Sequence, residues 1–200
     1  MAEISAAVVR DLRDKTGAGM MDCKKALGEV GGDLEKAVDW LRTKGLASAA
    51  KKAGRATNQG LIHSYVHTGG KVGVLIEVNC ESDFVARTDD FVELCRDLAM
   101  QIAAAMPVCV RREDFPPDQL EREKAIFVSQ AKESGKPEAV IEKMIVGRVE
   151  KLYKETVLLE QEFVKDPKIS VEERVKGAIA KLGENITVRR FVRFQLGEGQ

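Results

Sequence analysis

Helical stripes of apolar residues alternate with glycine breaks over the first 45 residues. The breaks lie at residues 16–19, 31–32 and 45. Asp33 precedes the third stripe, where its carboxylate can cap the first free amides of a helix. The pattern predicts three short helices that together have little core of their own.

A clean alternation of apolar residues runs from residue 72 to residue 79. It follows a run at 61–67 and a turn at 68–71, which predicts a β-hairpin with one buried face. A last strand is predicted over residues 185–196, with one buried parity that only Arg190 interrupts. That parity comprises Ile186, Val188, Val192, Phe194 and Leu196.

Helical spacing fills the segments between these strands, with a tight break at residues 134–137. We therefore predict an α+β fold, in which a three-helix module precedes a core of antiparallel sheet, of about three strands, packed with helices. The predicted boundaries are residues 1–45 for the module, 46–60 for an Ala-, Lys- and Gly-rich linker, and 61–200 for the core.

An acid and a large aromatic, Asp83 and Phe84, lie where the 72–79 strand gives way to a helical pattern near Thr88 or Asp89. Such a pair at the tip of a strand-to-helix turn is poorly placed for a core. It is well placed to enter another molecule, so the sequence predicts a partner-binding probe.

Charge changes this picture in one respect. The chain has 32 basic and 32 acidic residues, a balance that argues against a general nucleic-acid binder. The acid-free segment 42–76 is nevertheless followed by the acid-rich segment 77–93. These segments are either two solvated surfaces or one bipolar surface that orients a partner.

Candidate catalytic and metal-binding chemistry is sparse. No phosphate-binding or zinc motif is present, and His63 and His67 would lie roughly 13 Å apart on a strand. The four cysteines are scattered, no stretch has the length of a membrane span, and the first residues lack a secretory signal. We expect reduced thiols, a cytoplasmic location, and neither a cofactor nor a bound metal.

Adjacent methionines at Met20 and Met21 allow two interpretations. Both could belong to the helix core, or they could form an adaptable contact surface. Two neighbouring residues cannot share one narrow helix face, so at least one should be partly exposed.

Three motifs resemble one known family. Residues 16–27, TGAGMMDCKKAL, are similar to the first signature of elongation factor Ts. Residues 78–87, VNCESDFVAR, resemble its second signature, which usually has Thr and Lys where this chain has Ser82 and Arg87. Residues 183–191, GENITVRRF, resemble the end of its short, single-core form, and the likeness spans essentially the whole chain.

The resemblance implies a guanine-nucleotide exchange factor for elongation factor Tu, a GTPase. Such a factor binds the Tu–GDP complex, disturbs its magnesium site and releases GDP so that GTP can bind. It is not an enzyme in the chemical sense, and no small-molecule substrate, membrane or nucleic acid is bound directly. The N-terminal module would be ubiquitin-associated-like, and the short form implies a homodimer.

The resemblance also assigns residues. Asp83 and Phe84 would dislocate the partner's magnesium, with Ser82 and Val85 shaping the turn. The predicted partner contacts outside the turn are Leu12, Met20, Met21, Lys24 and, in the basic linker, Lys52.

Three alternatives stay open at this point. The first is a ubiquitin-associated-like adaptor of another kind, which only the first helices support. The second is a small enzyme that uses Asp83 or a cysteine. The third is an RNA-binding accessory protein of translation that uses the basic segment, and its RNA affinity would fall steeply with salt.

Overall fold

A computed structural model describes residues 4–133 and 137–198 of the chain. The helices within these residues are α1 (Ala6–Thr16), α2 (Met20–Glu29), α3 (Leu34–Ala50), α4 (Asp83–Ala86), α5 (Asp89–Ala105), α6 (Pro117–Glu133), α7 (Glu138–Thr156) and α8 (Val171–Leu182). The strands are β1 (Gln59–Val66), β2 (Val72–Cys80), β3 (Glu162–Phe163), β4 (Asp166–Ser170) and β5 (Ile186–Gln195).

The predicted α+β class is confirmed. The three long strands form one sheet in the order β1-β2-β5, and β3 and β4 form a small second sheet. The long strands are antiparallel neighbours. His67 donates to Val72 across the hairpin, and Leu196, just past the end of β5, donates to Lys71, just before β2. Of the break predicted at residues 134–137, only Pro137 lies within the described residues, where it precedes α7.

The chain packs as two compact units. One unit takes in the described residues up to Leu61, together with Val78–Leu94 and Glu173–Thr187. The other comprises Ile62–Glu77, Cys95–Glu172 and the described residues from Val188 onward. No helix in the described part of the chain has the length and apolar character needed to cross a bilayer.

Helices α1 to α3 form the predicted three-helix arrangement in the first unit. Ser5 caps α1 and Asp33 caps α3, each through its side-chain oxygen, as their positions before an apolar stripe require. The core between the helices consists of Val9, Leu12, Cys23, Ala26, Leu27 and Ala37. This module thus buries one small apolar cluster of its own.

The expected end of the third helix at Gly45 is wrong, because α3 continues to Ala50. A Cβ at position 45 would lie 3.3 Å from the Cβ of Ala180 in α8. The glycine therefore serves close packing against α8 rather than helix termination, and a packed helix tolerates the low helical propensity of glycine.

The last strand also departs from expectation. Only Ile186 and Val188 of the predicted parity are buried, whereas Val192, Phe194 and Leu196 are exposed. The alternation changes phase at Arg189 and Arg190, which are both exposed. The two halves of the predicted parity therefore differ in burial, although both are apolar.

The second unit holds the helical hairpin α6–α7 and a small cluster of Cys109, Phe115 and Val157. Arg112 binds the carboxylates of both Glu150 and Glu160, and its guanidinium lies 4.5 Å from the centroid of the Tyr153 ring. This arginine ties α7 to the segment that follows it.

Candidate partner-binding site

The candidate turn is one turn of helix, α4, placed directly after β2. Ser82 begins it as N-cap, because its Oγ accepts from the Val85 amide over 3.4 Å. Ala86 is buried and anchors the turn, whereas Phe84 keeps 79% of its surface exposed. An apolar ring this exposed on an anchored turn has no role in the core of the free chain.

The charge beside Phe84 is paired within the same turn. Arg87 donates to the Asp83 carboxylate over 2.8 Å, and both side chains are exposed. Thr88 then accepts from the Phe91 amide, and α5 starts at Asp89, within the predicted range of Thr88 or Asp89. Both acid and aromatic therefore point away from the packed interior.

A carboxylate from a distant part of the chain holds the start of the turn. Glu184, between α8 and β5, accepts from the backbone amides of Glu81 and Ser82 over 3.1 and 3.0 Å. Its other oxygen accepts from the Ser82 hydroxyl over 2.5 Å. Glu184 belongs to the motif at residues 183–191, but no pattern in the sequence there indicates its role.

Glu81 makes the converse contact. Its carboxylate accepts from the Asn185 amide over 2.6 Å and pairs with Arg55 at 3.5 Å. The buried Asn185 side chain in turn donates to the carbonyl oxygen of Arg55 over 2.8 Å. The turn is thus joined to the end of α8 and to the segment before β1.

The thiol beneath the turn is a donor rather than a nucleophile. Cys80 is buried and donates from Sγ to the Ser82 carbonyl over 3.1 Å. Burial raises the pKa of the Cys80 thiol, and the nearby Glu184 carboxylate raises it further. The thiol stays protonated at neutral pH and continues to donate this bond.

The other predicted contacts lie on the N-terminal helices. Met20 and Met21, at the start of α2, are 44% and 75% exposed, and Lys24 one turn later is also exposed. Leu12 is fully buried in the module core, where it supports the helices from inside. Lys52 is half-buried and donates to the Ser48 hydroxyl over 2.7 Å.

Helix α8 links the N-terminal helices to the segment after the turn. Lys181 donates to Asp90 in α5 over 2.6 Å, and a Cβ added at Gly17 would lie 3.3 Å from Lys181 Cε. Arg42 of α3 also pairs with Glu173 of α8 at 2.7 Å. The two groups of predicted contacts are therefore held by one common helix.

A second apolar surface lies in the other unit, and we call it the outer sheet face. Glu77 and Arg190 pair across β2 and β5 at 2.8 Å, which puts Leu75 opposite Val192 in the same register. The apolar members of this face are between 41% and 76% exposed. They are Ile62, Val66, Leu75, Val192, Phe194 and Leu196.

His63 lies in β1, and His67 directly follows the end of that strand. Burial lowers the pKa of His63, with a smaller contribution from the positive charge of Arg96. His67 accepts or donates a hydrogen bond with the Tyr65 hydroxyl at 2.9 Å. Across residues 4–133 and 137–198, no three His, Cys, Asp or Glu side chains gather as a metal site.

Comparison with known proteins gives one consistent family. A family model described as elongation factor TS matches residues 48–198. Elongation factor Ts of Desulforamulus reducens is 59% identical over 199 residues, covering 100% of this chain and 92% of that protein. Elongation factor Ts of Synechococcus elongatus is 62% identical over 200 residues, with 100% and 90% covered. That of Syntrophomonas wolfei is 60% identical over 196 residues, with 98% and 92% covered.

Proposed function

Because this chain belongs to the elongation factor Ts family, we propose that it is a guanine-nucleotide exchange factor for elongation factor Tu. It binds the Tu–GDP complex, disturbs the magnesium site and releases GDP, so that GTP can take its place. The factor works in the cytoplasm during translation elongation.

The observation that carries this proposal is the exposed Phe84 on an anchored helical turn. Burying a phenylalanine side chain contributes about 1.5–3 kcal/mol, which offsets part of the cost of opening a cleft in the partner. Magnesium requires near-ideal octahedral geometry, so a small displacement of its surroundings weakens its binding. Asp83 adds a carboxylate at the same point and competes for groups around the ion.

Exchange of this kind is a linkage effect and involves no covalent change, so the factor is not an enzyme in the chemical sense. If the factor weakens GDP binding to elongation factor Tu, GDP weakens binding of the factor by an equal ratio. GTP binding then ejects the factor. The factor needs no cofactor, metal or small-molecule substrate of its own, and it binds neither membrane nor nucleic acid directly.

The N-terminal helices supply further contacts with the partner. Met20, Met21 and Lys24 present a flexible apolar pair beside a positive charge on the outside of α2. Leu12 acts from inside the module by holding α1 against α2, and Lys52 borders the segment before β1. We assign the ubiquitin-associated-like module to residues 1–45, a linker to 46–60 and the core to 61–200.

The outer sheet face supports a homodimer. Six apolar side chains on one side of a three-stranded sheet leave a surface that a monomer would expose to water. A second copy of the chain is the occupant that matches it, because a two-fold axis pairs this face with itself. The Arg190–Glu77 pair lies on the same face as a polar contact.

Release of labelled GDP from purified elongation factor Tu tests the exchange function. The wild-type chain should accelerate release, and Phe84→Ala should lose at least tenfold of that acceleration, as the burial energy requires. Val146→Ala is the matched control, since it removes an exposed apolar side chain from α7. A wild-type chain that leaves the release rate unchanged would refute the proposed function.

A further inference from the structure

We infer that Glu184 and Glu81 are positioning residues for the exchange reaction, and this inference rests on the proposed function. The two carboxylates form a reciprocal pair. Glu184 accepts a hydrogen bond from the Glu81 amide, and Glu81 accepts one from the Asn185 amide, next to Glu184. We call this arrangement the reciprocal glutamate pair. It fixes the direction in which the turn presents Phe84.

Glu184 holds the turn through three donors. The amides of Glu81 and Ser82 share one of its oxygens, and the Ser82 hydroxyl takes the other. Hydrogen bonds to an ionised carboxylate are roughly twice as strong as neutral ones. A single side chain therefore sets both the backbone and the side chain of the residue that begins the turn.

Ser82 passes this restraint on to the turn itself. Its hydroxyl proton is directed to Glu184, which leaves an oxygen lone pair for the Val85 amide. Without Glu184 the hydroxyl could rotate, and the N-cap would compete with water. Two consecutive hydrogen bonds, from Ser82 to Glu184 and from Val85 to Ser82, thus fix the start of the helical turn. Phe84 is the second residue of that turn.

Glu81 secures the opposite end of the arrangement. Its carboxylate accepts from the Asn185 amide, directly after Glu184, and prevents that segment from moving away from the turn. Arg55 lies 3.5 Å from the same carboxylate and offsets the negative charge that the two glutamates bring together. The buried Asn185 side chain fixes the backbone of Arg55 in return.

A preorganised turn saves ordering entropy at the moment when Phe84 enters the partner. The N-terminal helices can bind the partner without this order. Loss of Glu184 should therefore act on the opening step and not on the initial encounter. In kinetic terms, the saturating rate of GDP release should fall more than the half-saturating concentration rises.

The experiment measures release of fluorescent GDP from elongation factor Tu over a range of factor concentrations. We expect Glu184→Ala to lower the saturating rate about tenfold and to change the half-saturating concentration less than about threefold. Glu184→Gln keeps an oxygen acceptor and should recover most of the rate. Glu142→Ala, an exposed glutamate of α7, is the matched control and should behave as wild type.

Amide hydrogen exchange of residues 81–87 provides a readout that is independent of the partner. Glu184→Ala should exchange faster there than wild type, Glu184→Gln should regain protection, and residues 6–29 should be unchanged. If Glu184→Ala is unfolded, Ser82→Ala carries the test. It removes the hydroxyl that bonds Glu184 and caps the Val85 amide but keeps both backbone bonds to Glu184, and it should lower the saturating rate about threefold.

The outcomes separate the two claims. If wild type fails to accelerate GDP release, the proposed function fails, whatever the hydrogen exchange shows. If wild type accelerates release and a folded Glu184→Ala matches it, or protects residues 81–87 equally well, the positioning role is overturned. A Gln variant no better than the Ala variant at equal stability would also overturn it.

Discussion

Arg87 and Asp83 form an ion pair at 2.8 Å across the single helical turn that carries Phe84. The pair spans four positions, and both partners remain exposed, so its net stabilisation is a few tenths of a kcal/mol. An interaction this weak orients the carboxylate in the free chain and yields readily when a stronger donor is offered. Arg87 therefore holds Asp83 only weakly in the free chain.

The first prediction concerns the two members of this pair. Asp83→Asn should lower stimulated GDP release about tenfold, because hydrogen bonds to a charged group contribute about 1.5–3 kcal/mol. Arg87→Ala should lower it no more than about threefold, since the carboxylate remains. Rapid-mixing fluorescence measures both rates, and equal losses in the two variants would contradict separate roles.

The second prediction concerns the outer sheet face. Phe194→Glu should convert the proposed dimer to monomers, because a buried unpaired carboxylate costs more than the apolar contact contributes. Light scattering coupled to size exclusion measures the mass, and Val146→Glu on α7 is the matched control. A wild-type monomer, or a Phe194→Glu dimer at the same concentration, would contradict the homodimer.

The fold was predictable where a pattern decides between helix and strand. The alternation of β2 fits only a strand, and the apolar stripes of α1 to α3 fit only helices. The burial of β5 was not predictable, because the parity is apolar on both sides of Arg190 and only packing decides which half is buried. Arg190 marked the place, but one arginine in a strand does not show that Val192 and Phe194 turn outward.

The candidate turn was predictable for a different reason. An acid and an aromatic at the end of a buried strand stand out in any sequence, and Phe84 is indeed exposed. The support from Glu184 was not predictable, because it joins residues 102 positions apart and involves mainly backbone amides. Leu12 was predicted as a partner contact, but it is buried in the module core. Helical spacing alone does not distinguish a core residue from a contact residue.

The third prediction concerns Gly60, whose φ of 147° lies in the region that favours glycine. A Cβ there would lie 2.2 Å from the Val78 carbonyl oxygen. Gly60→Ala should therefore lower the free energy of unfolding by about 3 kcal/mol, from strain and overlap together. In Gly69→Ala, φ is also positive but the space is open, so the loss should be about 1–2 kcal/mol. Urea unfolding at one protein concentration measures both, and equal losses would contradict the steric contribution.

The fourth prediction concerns Cys109. Burial raises the pKa of its thiol from 9.0 to about 11, with further contributions from Asp114, Glu160 and Glu113. Below pH 9 the thiol is protonated in both the folded and the unfolded chain, so it has no effect on stability there. As pH rises from 9 toward 11 the unfolded chain loses this proton first, and the free energy of unfolding falls.

Denaturant unfolding at pH 8 and pH 10 tests this sign. The wild-type chain should lose more stability over that interval than Cys109→Ala, which has no thiol to titrate at this position. Parallel losses in the two proteins would show that the Cys109 thiol does not titrate differently on folding.

The reciprocal glutamate pair can form only late in the synthesis of this segment, because its two halves are far apart in the chain. Ser82 leaves the ribosome 102 residues ahead of Glu184. At roughly 5–20 residues per second, the turn waits about 5–20 s for the carboxylate that orders it. A nascent chain therefore carries Phe84 on a segment that Glu184 does not restrain until Glu184 itself has been synthesised. Chains interrupted before Glu184 lack the carboxylate that orders the turn, so we expect them to compete poorly for the proposed partner.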